Sequence, residues 1–230
     1  MADNVRKELV REELINKAAE LFYSKGYAQT SINNIAEELG LKRSSVYHYF
    51  KNKEQILSTL VEEESTVPYN ILVALLDRTD LTPTQRLKMA VAQGIVRRLS
   101  GGPRFLVLSR LEAEMPADLA ALYSRHKRQI LDIYTEMVSD GVRVGEFRAV
   151  DARIAAFAII GMANWTSWWY SPKGKRTPQQ IAEVIVDIAM RGLASDGGTR
   201  ATPPADSLGA AIRNLRQDLE ILERLAGSNS

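Results

Sequence analysis

The sequence predicts an all-α protein, with a small N-terminal helical bundle followed by a larger helical body. Three observations carry this. Apolar residues recur at three- and four-residue spacings along most of the chain. Helix starts are marked in the same way twice: Thr82-Pro83-Thr84-Gln85 and Thr177-Pro178-Gln179-Gln180 each offer an N-cap, a first-turn proline and a capping-box glutamine. No segment alternates convincingly with period two; GVRVGEF, at 141–147, is the nearest and stands isolated.

The first helix is predicted over Val5 to Lys25, with Val10, Leu14, Ala18, Leu21 and Phe22 inward and Gly26 as its stop. A short second helix follows Thr30 or Ser31, carries Ile32, Ile35, Ala36 and Leu39, and ends at Gly40. A third covers Arg43 to Phe50. A fourth starts at the N-cap Asn52, and Pro68 should kink or split it before Leu72, Leu75 and Leu76. The fifth runs from Pro83 to Leu99, the sixth opens at Pro103, and the long seventh runs from Pro116 through Met137. Asp151 caps the eighth, Ile154 to Tyr170, and the ninth begins at Pro178 with the stripe Ile181, Val184, Ile185, Ile188. DGGTRATPPAD, 196–206, reads as a linker. Beyond it Leu208, Ile212, Leu215, Leu219 and Leu222 form a short heptad-like seam over 207–226, suited to docking on its own protein or to pairing with a partner.

With 230 residues, 45% apolar and 25% charged, the composition is that of an ordinary globular chain. The net charge of +2 is too small to name a partner. The absence of cysteine excludes disulfides, thiolate metal sites and cysteine nucleophiles, and fits a cytoplasmic protein. No secretory signal is visible at the N-terminus. The uncharged run 154–172 approaches the length of a membrane span, but its Asn164, Thr166, Ser167 and Ser171 favour a core or interface helix. Two distant histidines, no glycine-rich phosphate loop and no placeable Ser/His/Asp set argue against an enzyme, a metal site or a cofactor.

Residues 31–50 have helix, glycine turn, helix spacing, which serves a helix-turn-helix as well as an ordinary bundle. No acid lies between Leu39 and Lys53. Read as a DNA reader, the second helix enters the major groove by its N-terminal end, Lys42-Arg43-Ser44-Ser45. Arg43 suits guanine or phosphate. Tyr47 and His48 face the backbone, Val46 and Phe50 face the core, and Thr30, Ser31 and Lys53 suit phosphates.

The segment TSINNIAEELGLKRSSVYHYFKNKEQIL resembles the DNA-binding domain of the TetR family of transcriptional regulators. The resemblance rests on Thr30-Ser31, Ile35-Ala36, Gly40, Tyr47, Phe50, Lys53-Glu54 and Ile56-Leu57. Lys42 departs from it, standing where the family has a Ser or Thr cap, and is assigned a phosphate contact instead. The resemblance implies an N-terminal three-helix DNA-binding domain, 1–52, and a ligand-binding and dimerisation domain, 53–195. It also implies a homodimer on a palindromic operator, paired through the last two body helices. Ile181, Val184, Ile185 and Ile188 are placed at that interface.

The body calls for a small-molecule effector site, with Phe105, Arg110, Met115, Tyr123, Met162, Asn164, Trp165, Trp168 and Trp169 as candidates. The tryptophans serve equally as core or dimer contacts. His126, amid Arg125, Lys127 and Arg128, reads as a surface residue. NWTSWWYSPKGKRTPQQIAEVIVDIAMRGL resembles the C-terminal part of regulators of lipid and sterol catabolism that answer to acyl-CoA thioesters. That resemblance implies a repressor released by an apolar effector such as an acyl-CoA, with Arg110, Arg125 or Lys127 near its phosphates. The alternatives are a repressor of the same fold answering to drugs or aromatic compounds, and a helical adaptor that recruits partners through its C-terminal helix.

Overall fold

A computed structural model describes residues 2–195; the expected linker 196–206 and helix 207–226 lie outside the described residues. Among the described residues there are ten α-helices: α1 (Ala2–Lys25), α2 (Ile32–Glu38), α3 (Arg43–Tyr47), α4 (Lys53–Val61), α5 (Val67–Leu76), α6 (Pro83–Ser100), α7 (Arg104–Leu111), α8 (Ala117–Arg143), α9 (Ala152–Trp169) and α10 (Pro178–Leu193). The all-α expectation holds. The fourth predicted helix is two, α4 and α5, joined by a π-helical turn, Glu62–Thr66. Pro68, in the first turn of α5, causes this: it has no N–H, and its ring crowds the carbonyl four residues back, which a wider turn accommodates.

The start signals act as read. Thr82 and Thr177 accept from the backbone N–H groups of Gln85 and Gln180, which return the bond through their side chains. Asn52 and Asp151 cap α4 and α9. GVRVGEF is no strand. It completes α8 and turns at Gly145, then makes a single antiparallel bridge from Phe147 to Ala194. Phe147 packs where a Cβ on Gly141 would lie, 2.1 Å from its ring, so that position accepts no side chain.

The helices share two cores. The first joins Leu14, Phe22, Ile35, Val46 and Phe50 of the N-terminal bundle to Ile56, Leu57 and Leu60 of α4 and to Val107, Leu108 and Leu111 of α7. Residues on both sides of the expected division at 52–53 serve it. The second holds α5, α6, α9, α10 and most of α8. No helix among the described residues is long and apolar enough to cross a membrane.

Candidate DNA-binding face and effector cavity

The recognition element is built by the turn at Gly40, whose φ of +64° is left-handed backbone that glycine adopts freely. It is closed by the Leu41 N–H donating to the Ala36 carbonyl at 2.9 Å. Val46 and Phe50 are buried and pin α3 to the first core. This leaves Lys42, Arg43, Ser44, Tyr47 and His48 exposed on one face, with Ser45 half-buried. The Arg43 guanidinium lies over the Tyr47 ring and donates to its hydroxyl at 2.8 Å, so the two form one exposed unit. Lys42 precedes α3 with no side-chain cap, as its chemistry requires.

Three candidate phosphate contacts are differently placed. Thr30 is buried, and its hydroxyl donates to the Gly26 carbonyl at 2.8 Å, so it cannot face DNA. Ser31 is exposed, but its hydroxyl caps α2 through Asn34. Lys53 points inward. Its ammonium donates to the carbonyls of Tyr27, Ala28 and Thr30 at 2.9, 3.3 and 3.1 Å and sits 4.5 Å from the Tyr27 ring centroid. It ties α4 to the loop that sets α2. The three carbonyls use its three protons, a role that charge alone does not announce in a sequence.

Two contiguous chambers open in the body. The inner, about 320 Å³, is walled by Leu72, Ala90, Ile130, Tyr134, Ile160 and Ala163. The outer, about 770 Å³, adds Phe105, Tyr123, Leu131 and Phe157, with Lys127 and Arg128 also on its wall. Glu64, Arg98, Ile130, Ile160 and Asn164 line both and form the waist. Burial pushes the Glu64 carboxyl above its ordinary range against the opposing charges of Arg98 and Arg97; burial likewise lowers the Arg98 guanidinium, against Glu64. Arg98 stacks 4.0 Å from the Phe105 ring centroid, while its Nε and Nη1 and the Asn164 Oδ1 are buried without a hydrogen bond. Burial pushes Tyr123 and Tyr134 up to about 12.

Phe105, Tyr123 and Asn164 therefore reach the cavity, and other candidates do not. Arg110 sits elsewhere, donating to the Tyr23 carbonyl at 3.0 Å and lying over the Tyr23 ring. Met115 is buried in the first core, and Met162 packs on the second. Trp165, Trp168 and Trp169 are 65%, 59% and 54% exposed, on the outer face of α9. His126 is not on the surface. It is buried, stacked on Tyr69, with Nδ1 3.2 Å from Ser65 Oγ and 3.3 Å from Thr66 Oγ1. Burial first, then Arg125, lowers its pKa from the ordinary 6.5. Arg125 is absent from the cavity walls.

The cavity touches the N-terminal bundle through consecutive acids of the π turn. Glu64 lines the waist; Glu63 meets Arg104 of α7 at 2.5 Å. Arg104 is buried and also binds Glu12 at 2.6 Å and Asn16 at 2.9 Å, both on α1. Arg97, beside the waist, donates to the Glu63 carbonyl. Sequence reading missed Arg104, whose only signal is a cation in the otherwise apolar run FLVL that follows it.

Residues 14–60 match the family model of bacterial regulatory proteins of the tetR family, and residues 80–193 match a tetracyclin repressor-like C-terminal domain. The chain belongs to the TetR family. As a TetR regulator it is a ligand-responsive DNA-binding protein of transcription, and not an enzyme. The transcriptional repressor KstR2 of Mycolicibacterium smegmatis is 26% identical over 197 residues, 83% of this chain and 93% of the relative. The fatty acid metabolism regulator protein of Bacillus subtilis is 22% identical over 190 residues, 79% of this chain and 94% of the relative. The structure of AibR in complex with isovaleryl coenzyme A and operator DNA is similar with a TM-score of 0.62 and 25% identity, covering 77% of this chain and 97% of AibR.

TetR regulators work as dimers, and one face of this TetR chain is apolar and open. Ile154, Phe157, Trp165 and Trp168 repeat along a single stripe of α9, and α10 adds Val184 and Ile188, all at least half exposed. Ile181 is buried in its own core and Ile185 is half-buried against it, so neither belongs to the exposed part of that face.

Proposed function

We propose that the chain represses transcription in the cytoplasm by holding a palindromic operator as a homodimer, and releases it when an acyl-CoA-class effector fills the cavity. The observation that carries the effector class is an elongated cavity whose outer chamber adds two cations, Lys127 and Arg128. The apolar residues of the inner one suit an acyl group, and on the outer wall Arg128, with Lys127 once it leaves the Glu112 carboxylate that holds it at 2.6 Å, suits the phosphates of the CoA end. The relatives point the same way: one is named as a fatty acid metabolism regulator, and AibR was solved with isovaleryl coenzyme A.

DNA recognition is assigned to Lys42, Arg43, Ser44, Ser45, Tyr47 and His48, with residues 1–52 as the DNA-binding unit. The exposed stripe of α9 and α10 is assigned to the dimer, with Val184 and Ile188 in contact and the tryptophans in place of Ile181. An effector group at the waist competes for Arg98 with Glu64. A shift of the π turn then reaches α1 through Glu63 and Arg104. Thermal-shift screening tests the effector class with acyl-CoA thioesters, free fatty acids and planar aromatic compounds. Stabilisation by acyl-CoAs is expected; stabilisation by the aromatic compounds alone contradicts the reading.

A further inference from the structure

The wall of the inner chamber carries Glu64, Gln93, Arg97, Arg98 and Asn164 beside its apolar residues, and Tyr134 adds a hydroxyl. Tyr134 lines that chamber and is 6% exposed; its hydroxyl makes no hydrogen bond to the described residues, and the Arg98 charge acts on it from nearby. It sits beside Gly94 of α6, 3.6 Å from where a Cβ on that glycine would lie. Gly94 lines the same chamber, so the missing side chain leaves the hydroxyl uncovered. Arg97 donates to the Glu63 carbonyl, and Arg98 stacks on Phe105 with its Nε and Nη1 unbonded; both are donors and offer the phenol proton no acceptor, and the unbonded Asn164 Oδ1 at the waist does not bond it either.

A buried tyrosine hydroxyl ordinarily finds a partner. A plain alkyl chain filling the chamber would leave this donor with neither water nor an acceptor, a penalty that falls directly on binding. A ligand oxygen at the same place removes it. Burial keeps the phenol protonated at neutral pH, so it acts as a donor and selects an acceptor.

We propose that Tyr134 is a specificity-determining residue and that the inner chamber takes an effector whose apolar body carries an oxygen acceptor, a ketone or hydroxyl. The inference rests on the inner chamber being the acyl site proposed above. Its test is titration calorimetry of decanoyl-CoA and of three isomers bearing one ketone at C5, C7 or C9, on the wild-type protein and on Tyr134→Phe. At least one oxo isomer should bind the wild type roughly tenfold more tightly than decanoyl-CoA. Tyr134→Phe should bring the two within about twofold, because the acceptor then gains nothing. Equal wild-type binding of decanoyl-CoA and every oxo isomer overturns the inference while leaving the acyl-CoA reading intact, whatever the variant's stability. A tenfold preference surviving in Tyr134→Phe also overturns it. Binding of no thioester at all overturns the acyl-CoA reading, and the inference with it.

Discussion

Arg43 and Tyr47 act as a pair. The ring supports the guanidinium and the hydroxyl accepts from it, which orients a long cation that would otherwise pay entropy on meeting a base or phosphate. Arg43→Ala should weaken operator binding by roughly 1–3 kcal/mol with the fold intact, read by fluorescence anisotropy and circular dichroism. Lys53 differs in kind. Lys53→Ala should lower the melting temperature and loosen the turn before α2, while the salt dependence of operator binding keeps its slope. A slope smaller by about one would instead show a lost phosphate contact. Both residues are cations in one basic tract; only the three carbonyls around Lys53 separate them. His126 adds a pH dependence. Its folded pKa is depressed, so below about pH 6.5 the unfolded chain takes up a proton that the folded chain does not. Its contribution to stability is therefore present at neutral pH and lost on acidification. Melting temperature should fall between pH 7 and pH 5, and His126→Gln should flatten that fall.

The element that distinguishes this body is the π turn, which Pro68 imposes between α4 and α5. It presents Glu63 to the N-terminal bundle and Glu64 to the cavity. Arg104→Met should cost about 2 kcal/mol in urea unfolding, because it leaves the half-buried Glu63 carboxylate with only Arg11, 3.3 Å away, and takes the donor from Glu12 and Asn16. The sequence announces the break at Pro68 but not its form, since a kink, a loop and a π turn all satisfy the missing N–H. Helix starts were legible because capping is local, as at Thr82 and Thr177. The glycine turn and the anchors Val46 and Phe50 were legible for the same reason. The cavity wall was less so. Trp165 and Trp168 share one helical stripe, and helical periodicity shows that such residues share a face without saying whether the face meets a ligand, a core or another subunit. Their exposure places them outside the core and the cavity wall, and the dimer is the assignment proposed for them. Ser65, Thr66 and Tyr69, which enclose His126, lie some sixty residues earlier, so its charged neighbours in sequence pointed the wrong way.

At the scale of the whole molecule, two demands meet: an exposed apolar stripe, proposed above as the dimer face, and a recognition helix that needs a twin on the next turn of DNA. Trp165→Asp together with Val184→Asp should yield monomers by light scattering and abolish tight operator binding, because each charge must then be buried against an apolar face. The central claim joins the two ends of the chain, effector in the cavity and operator at α3. It is tested most directly by one titration: operator duplex, selected by the purified protein from a random pool, is followed by fluorescence anisotropy as acyl-CoA thioesters are added. A palindromic duplex is expected, and it should be released as a thioester saturates the cavity. A protein that binds a thioester at equilibrium yet holds the duplex with unchanged affinity would contradict that claim.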